Sequence, residues 1–314
     1  QKVSIMRVHF MLLLVLLASC SKQSSTIKLQ FEKDLIPEGI AIDPVSEKVY
    51  LNSLSKNKIV RSNLDGSNPE VLIEDNEFGY LPGFGMTIKG DTLFALGNSH
   101  DTPSNQSILL LLDIPSGQLI KRYVLKSLGK TYLNDIAVNS KGHFFISDSE
   151  GSAIYSSNSE TDHLEVFFSH ETIAHTNGIA ISDDRQLLYL ASFGSGLRVL
   201  DIATKKLVNQ PNDFKGIDGL KFYKNSLIAI VNARRDPEKN GVFQFKLTSE
   251  GSEIMEASKL MVFENPTDIP TTFSIYNDNM FFVADSQMDL LDDLTNQIID
   301  PSKLEDYRLI RMKL

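Results

Sequence analysis

The segment LIPEGIAID, at residues 35–43, places the carboxylate of Glu38 between a proline and a glycine, directly before a short apolar stretch. Pro-X-Gly is typical of turns, in which a Glu side chain is normally solvated. The same arrangement recurs in YLNDIAVNS at residues 132–140, HTNGIAISD at 175–183 and GIDGLKFYK at 216–224. Each has an oxygen-bearing side chain just before the apolar stretch. This recurrence indicates that the chain is built from repeats.

Six equivalent positions can be aligned along the chain, and we call them the slot residues: Glu38, Phe84, Asn134, Asn177, Asp218 and Thr272. Successive slot residues are 46, 50, 43, 41 and 54 residues apart. Each begins an apolar segment that is followed by a second and a third strand-like segment, and five of the six repeats have a fourth. Four short antiparallel strands repeated at this period predict an all-β fold, a six-bladed β-propeller around a central channel.

The sixth repeat lacks a fourth strand of its own, because the sequence ends at Leu314. The segment TIKLQF, at residues 26–31, lies just before the first repeat and is strand-like. We therefore predict that residues 26–31 complete the sixth blade and cover a sheet edge that would otherwise favour aggregation. Residues 26–314 are expected to form a single propeller domain.

The segment MRVHFMLLLVLLASC, at residues 6–20, has a basic start, a short apolar core and small residues before a cysteine, as export signals do. Its apolar run is far shorter than the ~20 residues that a membrane-spanning helix needs. LASC, at residues 17–20, resembles the lipobox of bacterial lipoproteins, in which the cysteine is lipidated. A plain secretory signal followed by a chance cysteine is the alternative.

Cys20 is the only cysteine in the sequence, and a polar segment, SKQSS, follows it. We therefore expect residues 1–19 to be a lipoprotein signal peptide and residues 20–25 to be a lipidated Cys20 and its tether. The expected location is the bacterial cell envelope, on the periplasmic side of the outer membrane. Membrane contact is expected through the lipid anchor alone.

The charge balance argues against a nucleic-acid partner. Removing residues 1–19 takes away Lys2 and Arg7, which leaves 29 basic and 40 acidic side chains and a net charge of −11. An acidic surface repels polyanions, so we expect no nucleic-acid binding. A small-molecule substrate is the expected partner.

Four slot residues, Glu38, Asn134, Asn177 and Asp218, carry side-chain oxygens, and the propeller topology should bring them to one mouth of the channel. Two carboxylates held close together repel each other unless one is protonated or a cation lies between them. Ca²⁺ prefers carboxylate and amide oxygens, whereas Zn²⁺ prefers His and Cys. Each slot alone is also explained as a turn residue. Together they predict a divalent cation, Ca²⁺ before Mg²⁺, Mn²⁺ or Zn²⁺.

The strand starts LIPEGIAID, YLNDIAV, HTNGIAIS and GIDGLKF resemble the metal-binding strand starts of the senescence marker protein, regucalcin and gluconolactonase family of six-bladed propellers. Diisopropyl fluorophosphatase and paraoxonase are distant relatives of that family. The resemblance implies that the four oxygen-bearing slot residues hold one cation that polarises the carbonyl group of a lactone or ester. Two residues depart from the family pattern: Tyr132 stands where its lactonases often carry an arginine, and Phe84 occupies the second slot.

The leading hypothesis is thus a metal-dependent hydrolase of a lactone or related ester, with Asp218, or a water that it orients, as the base. His175 is a candidate for proton transfer because it lies beside Asn177. Candidate substrate contacts are Tyr132, His100, Arg234 and Arg235, with Tyr80 and Phe193 near the same mouth. The arginines would suit an anionic sugar derivative. The alternative is a non-catalytic binding propeller, either a small-molecule receptor or an assembly platform, with a structural metal.

The longest loop predicted on this face spans residues 286–306. Its apolar residues, Met288, Leu290, Leu291, Leu294 and Ile298, would permit a short amphipathic helix across the channel mouth. Long loops inside compact repeats are often functional lids. A structural cap is the alternative.

Overall fold

The computed structural model describes residues 24–100, 105–126, 129–157, 163–182, 186–232, 237–292 and 295–314. Six four-stranded antiparallel sheets follow one another along the chain, each pairing its strands in sequence order except the last, which takes one strand from the N-terminal end. This confirms the predicted six-bladed propeller. The predicted signal peptide and Cys20 lie outside the described residues.

The strands of the first three blades are consecutive in the chain. Blade 1 contains β2 (Ile40–Asp43), β3 (Lys48–Asn52), β4 (Ile59–Asn63) and β5 (Glu70–Ile73). Blade 2 contains β6 (Gly83–Lys89), β7 (Thr92–Asn98), β8 (Gln106–Asp113) and β9 (Leu119–Lys126). Blade 3 contains β10 (Leu133–Val138), β11 (Phe144–Asp148), β12 (Ala153–Ser157) and β13 (Leu164–Ser169).

The last three blades follow the same order. Blade 4 contains β14 (Thr176–Ile181), β15 (Leu187–Ser192), β16 (Gly196–Asp201) and the short β17 (Lys206–Leu207). Blade 5 contains β18 (Ile217–Tyr223), β19 (Ser226–Val231), β20 (Gly241–Leu247) and β21 (Ile254–Met261). Blade 6 contains β22 (Ser274–Tyr276), β23 (Asn279–Val283), β24 (Arg308–Lys313) and β1 (Ser24–Lys28).

Burial decreases from the inside of each blade to its outer edge. Every residue of β15 and of β19 is buried, because these second strands are covered on both faces by the neighbouring blades. The fourth strand β13 has only Leu164 buried. The second strands therefore read as continuous apolar runs, whereas the outer strands mix apolar and polar residues. The hydrophobic core consists of the layers between blades.

The N-terminal strand closes the ring as predicted. β1 pairs antiparallel with β24, with Thr26 opposite Ile310 and Lys28 opposite Arg308. Its bounds differ from the predicted residues 26–31. Ser24 and Ser25, which were expected in the tether, already belong to the strand. Both ends of the described chain are therefore hydrogen-bonded into one blade.

Helical structure in the described residues is limited to single 3-10 turns, at Glu77–Gly79, Glu171–Ile173, Pro237–Lys239, Met288–Leu290 and Pro301–Lys303. None of the described helices has the length and apolar character that crossing a membrane would require.

Two of these turns lie in the loop at residues 286–306, where a short amphipathic helix was expected. That expectation is wrong for the described part of the loop: an isolated bridge pairs Leu291 with Ile298, and the rest is irregular. The base of the loop is closed by Gln287, whose Nε2 donates to the carbonyl of Glu305 over 3.1 Å and whose Oε1 accepts from the Glu305 N–H over 2.7 Å. Leu294 lies outside the described residues.

The loop packs onto the body of the propeller. Leu291 and Leu304 are buried and belong to the same hydrophobic cluster as Ile36, Leu54 and Phe84. Burial of these side chains opposes opening of the loop. Of the two alternatives, the contacts favour a structural cap.

Candidate metal centre and adjoining pocket

A β-bulge marks the slot position in four blades. The register between first and second strand shifts at 83–86, 133–136, 176–179 and 217–220, and each interval contains a slot residue. The extra residue of a bulge redirects a side chain that strand alternation would otherwise assign to one face. The repeated sequence motif thus corresponds to a repeated backbone irregularity at one end of the innermost strands.

Three of the four predicted ligands have a buried oxygen with no hydrogen-bond partner among the described residues: Oε2 of Glu38, Oδ1 of Asn134 and Oδ1 of Asn177. An unsatisfied buried acceptor costs about 1–3 kcal/mol. The amide of Asn134 is oriented by its other end, because Nδ2 donates to Oγ of Ser149 over 3.2 Å. Three such acceptors at or just before the starts of the innermost strands fit a cation as their missing partner.

Glu38 lies deeper than a turn residue would. Its side chain is buried, with 5% of the residue exposed. Burial raises the pKa of the Glu38 carboxyl well above its ordinary range, and the negative charges of Asp218 and Asp135 raise it further, while Lys221 opposes them. The charge of Glu38 is therefore unfavourable here unless a cation accompanies it.

Neighbouring blades approach very closely beside the slots. A Cβ atom on Gly39 would lie 2.1 Å from the carbonyl oxygen of Phe84, and one on Gly178 would lie 2.2 Å from that of Asp218. Only glycine permits this approach of one strand to the next. The glycine that follows the slot in the sequence motif is therefore explained by packing around the channel.

Asn52 and Asn98, each at the end of a second strand, form hydrogen bonds to the next blade near a slot. Oδ1 of Asn52 accepts from the Gly39 N–H over 2.8 Å, and its Nδ2 donates to the Phe84 carbonyl. Asn98 binds both backbone groups of Leu133 in the same way, at 2.9 and 3.0 Å. These bonds hold the backbone on which the ligands are mounted.

The sixth slot has a structural use. The hydroxyls of Thr271 and Thr272 both donate to the Glu38 carbonyl oxygen, over 2.7 and 2.8 Å. Blade 6 thus helps to position Glu38, the proposed ligand from blade 1, at the point where the first and last blades meet. The second slot is filled by Phe84, whose ring lies 5.6 Å from that of Tyr132.

Asp218 stands at the boundary between the channel and an open cavity. Its Oδ2 accepts from Nδ2 of Asn232 over 3.1 Å, and Asn232 also donates to the carbonyl of Pro270 in the next blade. Asp218 and Asn177 line a cavity of about 870 Å³, together with His175, Phe193, Phe214 and Lys215. The structure therefore places two of the predicted ligands on the wall of this cavity.

His175 is exposed and lies on the rim of this cavity. Its backbone has a φ of 54°, a conformation uncommon outside glycine. Nδ1 lies 3.0 Å from the carbonyl oxygen of Ser149, which can only accept. Nδ1 therefore carries the proton in this contact, and Nε2 of the neutral ring is an acceptor.

Two predicted contacts, Tyr132 and His100, lie together on the wall formed by blades 2 and 3. The Tyr132 hydroxyl is 3.4 Å from Nδ1 of His100, and the two rings meet edge to face. Nζ of Lys130 lies over the Tyr132 ring, 4.7 Å from its centre. Arg234 and Arg235 lie outside the described residues.

Tyr80 was expected as a substrate contact, and this prediction is wrong. Its side chain is fully buried, and its hydroxyl donates to the carbonyl of Leu96 over 2.9 Å while accepting from Asn52. Tyr80 therefore belongs to the group of hydrogen bonds through which Asn52 links the first slot to blade 2. Phe193, by contrast, is 71% exposed on the cavity wall.

The donor set fits a hard cation. The described residues contain no group of three or more His, Cys, Asp and Glu side chains suited to a metal ion. The candidate centre consists of two carboxylates and two amide carbonyls, a set that suits Ca²⁺ better than Zn²⁺. Glu38, Asn134, Asn177 and Asp218 are the residues that would hold such an ion.

The raised pKa of Glu38 predicts a pH-dependent stability of the metal-free protein. The folded state holds the Glu38 proton more tightly than the unfolded chain, whose pKa is about 4.5, so stability falls as pH rises from 4.5 towards the raised value. Glu38→Gln removes this loss. In thermal unfolding with chelator, wild type should weaken relative to Glu38→Gln as pH increases. If the difference in Tm between wild type and Glu38→Gln were constant between pH 4.5 and 8, the raised pKa of Glu38 would be contradicted.

No protein-family model matches the sequence, and neither does any curated protein. Solved structures do match over 93% of the chain. They include a gluconolactonase from Xanthomonas campestris, at 14% identity, a TM-score of 0.61 and 91% coverage of that chain. Luciferin-regenerating enzyme matches at 13% identity, a TM-score of 0.61 and 96% coverage. The PQQ-bound aldose sugar dehydrogenase from Streptomyces coelicolor matches at 13% identity, a TM-score of 0.59 and 98% coverage.

The names of these matched structures describe different activities at similar TM-scores, so the similarity shows the fold, and the activity must be argued from the site. Gluconolactonase is among the structures matched, as the strand-start motifs led us to expect. The chain is a six-bladed β-propeller, similar in fold to gluconolactonase and luciferin-regenerating enzyme.

Proposed function

We propose that the protein is a divalent-metal-dependent hydrolase of a lactone or related ester. The observation that carries the proposal is the group of three buried oxygens, on Glu38, Asn134 and Asn177, that have no hydrogen-bond partner among the described residues. They belong to the same ring of slots as Asp218, which lines the cavity of about 870 Å³. A cation site that adjoins a cavity large enough for a small molecule supports substrate chemistry at the ion.

The four oxygen-bearing slot residues would hold the cation, with Ca²⁺ favoured by the donor set. When bound, such an ion polarises a carbonyl group and stabilises the negative charge that develops on its oxygen. The protein's contribution is rigidity. Asn52, Thr271 and Thr272 hold the backbone at Glu38 and Gly39, which fixes the position of the first ligand.

Asp218 is the proposed base. Its carboxylate lines the cavity, and the hydrogen bond from Asn232 holds its Oδ2. A carboxylate in this position can orient a water and accept its proton as the water attacks the substrate carbonyl. His175 is the second candidate for proton transfer, because Nε2 is left as an acceptor when Nδ1 donates to Ser149.

The substrate would lie in the cavity between blades 4 and 5 and against the wall of blades 2 and 3. Tyr132 and His100 are the proposed contacts on that wall, and their mutual contact fixes the Tyr132 ring. Phe193, exposed on the opposite wall, adds an apolar surface. Arg234 and Arg235 remain proposed contacts for an anionic group.

The decisive experiment measures hydrolysis and metal binding on the same metal-stripped protein. We expect hydrolysis of members of a panel of aldonolactones and alkyl lactones to disappear with chelator and to return with Ca²⁺. We also expect Ca²⁺ to raise Tm, because a ligand at 100 times its Kd stabilises the folded state by about 2.7 kcal/mol. Ca²⁺ binding without hydrolysis would favour the binding propeller. If the protein neither binds Ca²⁺ nor hydrolyses a lactone, the four oxygen-bearing slot residues are turn residues without a metal.

A further inference from the structure

Blade 3 differs from the other ligand-bearing blades at the residue after the slot. Glycine follows the slot in blades 1, 4 and 5, at Gly39, Gly178 and Gly219, whereas Asp135 follows it in blade 3. The Asp135 side chain is almost completely buried, with 1% of it exposed. A charged side chain thus stands in blade 3 where the other ligand-bearing blades have a glycine that packs closely against the next blade. A buried carboxylate needs compensating partners.

The partners of Asp135 come from three blades. Its Oδ1 accepts from the Ile136 N–H over 2.8 Å, and its Oδ2 lies 3.5 Å from the Ile179 N–H of blade 4. Nζ of Lys221, in blade 5, lies 3.4 Å from both carboxylate oxygens. One carboxylate therefore joins the three strands that carry Asn134, Asn177 and Asp218.

The ion pair of Asp135 and Lys221 also changes the charge of the candidate metal centre. Glu38, Asp218 and Asp135 bring three carboxylates to this part of the channel, and Lys221 brings one ammonium group. Asp135 directly follows the proposed ligand Asn134, and Lys221 lies on the same strand as the proposed ligand Asp218. With all four groups ionised, the net charge is −2, which one divalent cation neutralises.

We propose that the Asp135–Lys221 pair sets the charge selectivity of the candidate metal centre. Lys221 balances one of the three carboxylates, so that the centre matches an ion of charge +2, and Asp135 holds the three ligand strands in register. The inference rests on the proposed metal site. It makes Asp135 and Lys221 positioning residues, which act on the ion through charge and spacing.

The test compares Ca²⁺ with Tb³⁺, an ion of similar size and higher charge, by calorimetric titration of metal-stripped protein. Lys221→Met changes the net charge to −3 and should raise the ratio of Tb³⁺ affinity to Ca²⁺ affinity about tenfold over wild type. Asp135→Asn changes the net charge of the centre to −1 and should lower the affinity ratio by a similar factor. The double variant Asp135→Asn/Lys221→Met returns it to −2 and should restore the wild-type ratio, and Lys221→Arg should retain it.

The ratio of Tb³⁺ affinity to Ca²⁺ affinity distinguishes an effect on the charge of the centre from a loss of folding stability. Each single variant leaves one charge without its ionic partner, the buried Asp135 or the partly buried Lys221, and is expected to lower Tm. The double variant removes that defect if Lys221→Met alone fails to fold. A fall in Tm with an unchanged affinity ratio in either single variant would overturn the inference while leaving the metal centre intact. Wild type that binds neither ion would overturn the proposed metal site itself.

Discussion

Asp218→Asn is expected to reduce lactone or ester hydrolysis by about 100-fold or more at saturating Ca²⁺. The substitution keeps the shape of the side chain but removes its ability to accept a proton, and general bases contribute roughly 10²–10⁴-fold to rate. Because Asp218 is also a proposed ligand, Ca²⁺ affinity should fall as well. Activity must therefore be measured over a range of Ca²⁺ concentrations, so that the loss of rate is separated from the loss of occupancy.

Asp213→Asn is the matched control for this variant. Asp213 lines the same cavity but is not a slot residue, so its substitution makes the same chemical change beside the site. We expect the control to retain hydrolysis within about twofold and to bind Ca²⁺ as wild type does. Equal losses in the two variants, or full activity of Asp218→Asn once Ca²⁺ is saturating, would remove Asp218 from the role of base.

Gly39→Ala is expected to lower the free energy of unfolding by about 3 kcal/mol, the largest effect on stability among these predictions. The added methyl group would lie 2.1 Å from the Phe84 carbonyl oxygen and 2.7 Å from Nδ2 of Asn52. Neither atom can move freely, because Nδ2 of Asn52 donates to the Phe84 carbonyl oxygen and this hydrogen bond links blades 1 and 2. Equilibrium unfolding in urea measures the change.

Gly129→Ala provides the comparison, since a Cβ atom at that glycine would have no atom of the described residues within 4 Å, its chain neighbours apart. Its effect should stay within about 0.5 kcal/mol of wild type. If Gly39→Ala were as stable as Gly129→Ala, the close approach of blades 1 and 2 would not be a constraint on this position. The recurrent glycine after the slot would then need another explanation.

The architecture could be predicted because its signals are local and repeated. Continuous apolar runs such as LYLA in β15 and LIAIV in β19 indicate buried strands, and the slot motif indicates where each first strand begins. Closure by the N-terminal strand followed from the missing fourth strand of blade 6. The error in its bounds has a local cause, because Ser24 and Ser25 have tether-like composition but pair with β24 through backbone hydrogen bonds that any residue can make.

By itself the sequence determined the number of blades and the order of strands, and it aligned Glu38, Asn134, Asn177 and Asp218 at or just before the start of four first strands. Only the tertiary structure decided which polar groups have partners. Lys221 meets Asp135 across 86 residues, and Thr272 meets the Glu38 carbonyl across 234. Strand periodicity is set by neighbours in the chain, whereas burial and pairing of polar groups depend on closing the ring, which brings residues of distant repeats into contact.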